Sequence, residues 1–222
     1  MPLLVRSPEA DILAAYATGF GDYVAEWGPG QAWKWNPQPR TAPVSSQTPD
    51  SGALANFKHQ PYSPEAALLH IPVDTLGVKA LAAGAGLDDA ESTYSRFCSV
   101  QPDGTQLYCE VSPTTPDTPA QFANIVKGPP AEALWLLIRG ASQLDQILAQ
   151  NYELRLLNIP ALYFEGLRLL AVDQGNDIVI ALTPLGEKVQ PGTVLSSTEL
   201  LNLAQPVAAA RLAAKGPNLM TA

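Results

Sequence analysis

The chain has 222 residues, of which 46% are hydrophobic and 15% charged, so it is long enough to bury a core without metals or disulfides. The net charge is −8 and the 13 lysines and arginines are scattered singly, which argues against partners such as nucleic acid and anionic membrane surfaces. No apolar run reaches the roughly 18 residues that a membrane span needs, and the first twenty residues lack a signal-peptide pattern, so we expect a cytoplasmic protein.

The first predicted element is an amphipathic helix that starts near Ser7. Ser7 can cap the helix, Pro8 suits its first position, and Glu9 complements its dipole. The turn sequence Gly-Pro-Gly at 28–30 is expected to end it. Apolar residues recur along it at spacings of three and four: Leu13, Tyr16, Phe20, Tyr23, Val24 and Trp27.

A cluster of tryptophans lies at the end of this helix and just after it. Trp27, Trp33 and Trp35 fall within nine residues and surround Lys34. Such a cluster can form an aromatic platform for a proline-rich peptide, a sugar or a stacked base. It can also anchor the helix to the core, which is the more common use of large aromatic side chains. These four residues are the predicted interaction site.

A stretch rich in Pro, Ser and Thr follows at 36–62, and its first part, 36–52, is predicted to lack helix and strand. The chain is therefore divided into an N-terminal helix and aromatic loop (1–35), a linker (36–62) and an α+β domain (63–222). Docking of 1–35 on the last part, to form one domain, is the alternative.

Two further helices are predicted before the first hairpin. The sequence EAALLHI, 65–71, favours a helix that Pro72 ends, and Asp74 is placed to cap a second one over 75–83. Beyond the hairpin, Thr118 and Pro119 predict a short helix through Val126.

Both cysteines lie in the hairpin predicted over 93–112, around Pro102-Asp103-Gly104. A two-residue turn would place Cys98 opposite Cys109 and would gather the better apolar stripe. A three-residue loop would pair Arg96 with Glu110 and send the two thiols to opposite faces. Proline suits the first corner of the longer loop, so this register and free thiols are favoured.

The C-terminal part gives the most coherent pattern. The apolar segment 131–140 can be a buried helix or strand, and its alanines and leucines favour the helix. Further helices are predicted over 143–151 and 196–216, the last kinked at Pro206, with a strand at 152–159 and a hairpin formed by 161–172 and 177–185. The last helix is expected to cover the hairpin through the following contacts: Leu200, Leu201, Leu203, Val207 and Leu212 against Leu167, Leu169, Ile178 and Ile180. The predicted fold class is α+β, with antiparallel hairpins in a small sheet packed with helices and a C-terminal three-stranded sheet plus helix.

The sequence carries no catalytic or cofactor signature. A Ser-His-Asp triad would have to use His59 or His70, and no Gly-x-Ser-x-Gly elbow is present. The two cysteines and two histidines together equal the four ligands that a zinc site needs, but their spacing in the sequence fits no compact zinc module. We therefore predict no metal site and no cofactor.

Low charge, apolar strands and a Pro/Thr-rich linker favour a non-catalytic protein that binds a protein partner or self-associates. The alternative is a hydrolase that uses His59 or His70 with a nearby Ser, Cys or carboxylate. A histidine that converges with such a group in a pocket would favour the enzyme. An unpaired strand edge, or a flat apolar face near Trp33 and Trp35, would favour binding.

Overall fold

The described part of the chain is built around one large β-sheet. This computed structural model describes residues 3–27, 59–61, 68–101, 103–144, 150–173 and 175–215. The α+β class is confirmed, but the sheet has ten strands among these residues and is larger than the small sheet expected from sequence. The elements are β1 Leu3–Arg6, α1 Ala10–Trp27, β2 His59–Pro61, β3 Leu68–Thr75, α2 Val78–Ala82, β4 Glu91–Val100, β5 Gln106–Ser112, β6 Gln121–Lys127, α3 Pro129–Ala141, β7 Tyr152–Ile159, β8 Phe164–Ala171, β9 Ile178–Ala181, β10 Val194–Ser196 and α4 Ser197–Lys215.

The strand order is β10-β9-β8-β7-β3-β4-β5-β6, and the pairing along this path is antiparallel except between β3 and β7. Along the edge of β7 that faces β3, Tyr152 and Glu153 pair in parallel with β1, and the residues from Leu156 onward pair in parallel with β3. The strand β2 pairs with β1. The N-terminal strand is thus part of the same sheet as the strands after residue 68.

Eight strands of the sheet, β3 to β10, form two topologically equivalent halves that meet where β3 and β7 run in parallel. Residues 68–141 give a strand, short helical turns, three strands and a helix, and residues 152–215 repeat this order. The spatial order of the strands is mirrored about β3 and β7. A rotation by 180° about an axis in the plane of the sheet therefore interchanges the topologies of the two halves. Because this rotation also exchanges the two faces of the sheet, α3 and α4 lie on opposite faces.

Three apolar cores fill the two faces. One packs α3 (Leu134, Trp135, Ile138) on strands from both halves. The other two lie on the opposite face: α1 covers β4 and β5 there, and α4 with α2 covers β8 and β9.

The face that α4 covers differs from the prediction. The four predicted contacts on the hairpin, Leu167, Leu169, Ile178 and Ile180, belong to the core under α3. The helix instead packs on the alternate residues of the same strands, which include Phe164, Val179 and Ala181. Because successive strand residues point to opposite faces, the assignment was wrong by one residue.

Two predicted helices are strands. Residues 68–75 form β3, with Pro72 opposite Ser95, so no helix ends at this proline, and the second predicted helix is shortened to α2. Proline is tolerated because pairing with β7 begins only at Val73. Residues 121–127 form β6, where Phe122, Ile125 and Val126 pack on the core.

The cysteine hairpin has the favoured register. Arg96 lies opposite Glu110, Cys98 opposite Tyr108 and Cys109 opposite Phe97, and Gly104 adopts a φ of +85°. The helix at 131–140, the strand at 152–159 and the pairing of β8 with β9 are also confirmed. The predicted extended stretch 36–52 and residues 145–149 of a predicted helix lie outside the described residues.

Candidate functional site

Most of the predicted aromatic interaction site cannot be placed. Trp33, Lys34 and Trp35 lie outside the described residues, and Trp27 is the last residue of α1, with its side chain also outside the description. Interaction through these residues stays a prediction.

His70, one of the two candidate catalytic histidines, is paired with a serine. Its Nε2 lies 3.0 Å from Ser95 Oγ, and its Nδ1 lies 2.7 Å from the carbonyl oxygen of Arg6. A carbonyl only accepts hydrogen bonds, so Nδ1 carries the proton and Nε2 accepts the hydrogen bond from the serine hydroxyl. The connectivity is that of a serine paired with a histidine base. His59 lies in β2 opposite Arg6, and its side chain is outside the description.

Burial limits what this pair can do chemically. His70 is 7% exposed and Ser95 is 6% exposed. Burial lowers the pKa of His70 to about 4, because the imidazolium would lose its hydration. A base whose conjugate acid is this unstable takes a proton from serine poorly near neutral pH. The two hydrogen bonds instead tie β1, β3 and β4 together.

A central polar strip lies on the face that α1 and α4 share, where the two halves meet. It consists of His70, Asp74, Ser95, Glu153, Arg155 and Arg168. Arg155 donates to both Asp74 oxygens at 2.9 and 2.7 Å and to Glu153 at 2.9 Å. Burial raises the pKa of Asp74, and the two arginines oppose that rise.

Arg168 crosses from one half to the other. Its guanidinium donates to Asp177, which lies in its own half, at 2.7 Å. It also donates to the Leu87 carbonyl and to Asp88 of the other half, at 2.8 and 2.7 Å. It lies 3.7 Å from Asp74 as well. These partners engage the guanidinium on three sides and link the two halves. We call this set of contacts the Arg168 clamp, and it leaves the guanidinium paired internally rather than open to a bound anion.

Arg96 makes the corresponding link on the α3 face. It lies on β4, which corresponds to β8, and binds Glu110 of its own half at 2.9 Å and Glu165 of the other half. Its guanidinium also sits 4.3 Å from the ring centre of Tyr108. Arg96 is 4% exposed, so this pairing compensates a buried cation.

The two thiols are buried on opposite faces. Cys98 belongs to the core under α3 and Cys109 to the core under α1. No disulfide joins them. Burial raises the pKa of Cys98 to about 12 and raises that of Cys109 as well, so neither is an activated nucleophile.

The strand β6 forms a long edge of the sheet. It pairs with β5 on one side, and no described strand pairs with its other side. Helix α1 packs on one face of it, where Phe122 fills the space beside Gly19, and α3 follows it directly and covers Val126. The opposite edge strand, β10, has three residues and leads straight into α4.

Within the described residues, no three His, Cys, Asp or Glu side chains come together as a metal site. None of the described helices is long and apolar enough to cross a membrane. No protein-family model, curated protein or solved structure matches this chain.

Proposed function

We propose that this protein binds another protein and acts without catalysing a reaction. The observation that supports the proposal is the edge of β6: seven residues of ordered strand, with no described strand on their outer side. Such an edge offers a row of backbone donors and acceptors to an extended segment of a partner.

The edge is held in place for binding. Ile125 packs towards α1 and Val126 towards α3, so the strand is fixed from both faces. A fixed template reduces the ordering cost of association. No Pro lies within β6, and its one charged residue is Lys127 at the end; a bulge at Ala123 leaves residues 124–127 as the regular part of the edge that is open to strand addition.

The hydrolase alternative rests on one observation, the hydrogen bond between Ser95 and His70. A fluorophosphonate probe reacts with activated serines and separates the two functions. We expect no labelling of the folded protein. Labelling that disappears in Ser95→Ala and His70→Gln would favour the hydrolase instead.

Binding is tested by capture from the protein's native cells with three baits: wild type, Ala123→Lys and Ala210→Lys. Ala123 is exposed on β6, and Ala210 is exposed on α4, so each substitution adds the same side chain to an open position. We expect stoichiometric partners that wild type and Ala210→Lys retain and Ala123→Lys loses. A protein that remains monomeric and captures nothing at stoichiometric levels contradicts the proposed function.

A further inference from the structure

We propose that the β6 edge accepts an extended, positively charged strand of a partner protein. The inference rests on the proposed function and specifies the partner's chemistry. Its first basis is the charge around the edge, and its second is the local geometry of β6.

The elements that surround β6 carry a marked excess of carboxylates. Lys127 and Arg139 are the only basic residues in α3, in β6, in the described residues 103–120 and in residues 10–23 of α1. The same segments carry six acidic residues: Asp11, Asp22, Asp103, Glu110, Asp117 and Glu132. Five of the six are exposed, and Glu110 is half-buried. A basic strand would therefore meet a complementary potential.

The two cations already have local interactions. The Lys127 ammonium lies 4.9 Å from the ring centre of Tyr23, and the Arg139 guanidinium lies 5.9 Å from that of Trp135. Each is drawn towards its own aromatic ring. Glu110 is paired with Arg96, so among the described residues around β6 five exposed carboxylates stand against these two cations and are the dominant charge there.

The geometry limits how much of the edge a strand can use. Glu110 lies opposite Asn124 and Val111 opposite Phe122, so Ala123 is an extra residue that forms a bulge. The regular part that remains is Asn124–Lys127. A strand added there would place side chains beside Ile125 on one face and Val126 on the other. The fitting segment is thus short, with apolar residues flanked by Lys or Arg.

A second copy of the chain fits this edge less well. It would bring the same six carboxylates and two cations, within a chain of net charge −8. Two such surfaces repel each other at moderate ionic strength. The bulge also interrupts the regular ladder that a symmetric pairing of β6 with β6 would use.

The experiment is selection of displayed random ten-residue peptides against the folded full-length protein. We expect enriched peptides to carry Lys or Arg interspersed with apolar residues. Their affinity, measured by fluorescence anisotropy, should fall at least tenfold in Ala123→Lys, because the new ammonium stands at the end of the regular edge and repels a basic peptide, and should stay unchanged in Ala210→Lys. The combined variant Asp22→Asn, Asp117→Asn, Glu132→Gln should bind severalfold more weakly and lose part of the salt dependence.

Three outcomes would overturn the inference: enriched peptides that are acidic or uncharged, peptides whose binding Ala123→Lys leaves intact, or no enrichment at all. Dimerisation that Ala123→Lys abolishes in sedimentation would replace the basic partner with a second copy. None of these results alone refutes association in general, because the capture experiment with the three baits tests that separately.

Discussion

His70 illustrates how burial changes the chemistry of a residue type that suggested catalysis. Its ring nitrogens are both hydrogen-bonded, and its ring lies 5.1 Å from that of Phe97. The sequence identified the histidine, but its partner Ser95 is 25 residues away and meets it only through the pairing of β3 with β4. The contact could not be read from spacing alone.

The lowered pKa of His70 predicts acid sensitivity. The unfolded chain binds a proton near pH 6.5 and the folded protein only near pH 4, so the unfolded state holds more protons between these values. Folding stability should therefore fall as the pH drops through this window, by about 3 kcal/mol in total. Urea unfolding at a series of pH values measures it. The slope of the unfolding free energy against pH should be smaller in His70→Gln than in wild type and unchanged in His59→Gln. Equal slopes in all three proteins would refute the assignment of this pH dependence to His70.

The buried thiols predict slow reaction in the native state. Because Cys98 and Cys109 are inaccessible and their pKa values are raised, a thiol reagent at pH 8 should modify neither quickly. In denaturant both should react, and the mass should increase by two adducts. A non-reduced protein that takes up no adduct in denaturant would instead contain a disulfide.

Among the elements, α1 offers a matched pair of glycines. A Cβ on Gly19 would overlap Phe122 of β6, whereas a Cβ on Gly21 meets nothing within 4 Å. Gly21→Ala should stabilise the protein by about 0.5–1 kcal/mol through helix propensity. Gly19→Ala should destabilise it despite the same gain, because the ring must move. Denaturant midpoints measure both, and stabilisation by both changes would show that α1 does not pack on β6 in this way.

The packing of α4 predicts which leucine matters. Leu200 is fully buried with Ala204 and Ala208, while Leu203 is only partly buried. Leu200→Ala should cost about 2–5 kcal/mol, and Leu203→Ala should cost less. If Leu203→Ala instead has the lower urea midpoint of the two variants, a different face of the helix packs against the sheet.

Element types were predictable where local signals and burial agree. The start of α4 follows the predicted capping pattern, since Ser196 and Glu199 exchange hydrogen bonds. The type was wrong for β3 and β6, whose sequences carry local helix-start signals but fill places in the sheet. Pairing with β4 and β5 outweighs those local preferences, and single-sequence patterns do not contain it.

At the scale of the whole molecule, two buried arginines link the halves from opposite faces. Arg96 and Arg168 lie on corresponding strands, and each binds a carboxylate of both halves. The sequence predicted only the pair between Arg96 and Glu110, which is local to a hairpin. The longer links span about 70 to 80 residues and depend on the parallel contact of β3 with β7.

Loss of the Arg168 clamp should therefore destabilise the whole sheet. Arg168→Met leaves the buried Asp74 with Arg155 alone and removes the main partner of Asp177. We expect a loss of about 3–5 kcal/mol in the free energy of unfolding. Lys79→Met, at an exposed position, should change it by less than about 0.5 kcal/mol. Equal urea midpoints for both variants and wild type would show that the clamp contributes nothing.

The proposed binding surface also belongs to this scale. An unpaired strand edge is a mark of binding, but the sequence of residues 118–126 predicts a helix. The edge could not be found without the order of the strands, since only that order places β6 last.

Amide hydrogen exchange of Asn124–Lys127, with and without a selected basic peptide, tests the central claim most directly. In the free protein, the amides of this segment that point away from β5 should exchange rapidly. Saturating peptide should slow them at least tenfold and leave Val194–Ser196 of β10 unchanged. Amides that are already all protected in the free protein, or slowing that is confined to another part of the molecule, would contradict the assignment of β6 as the binding edge.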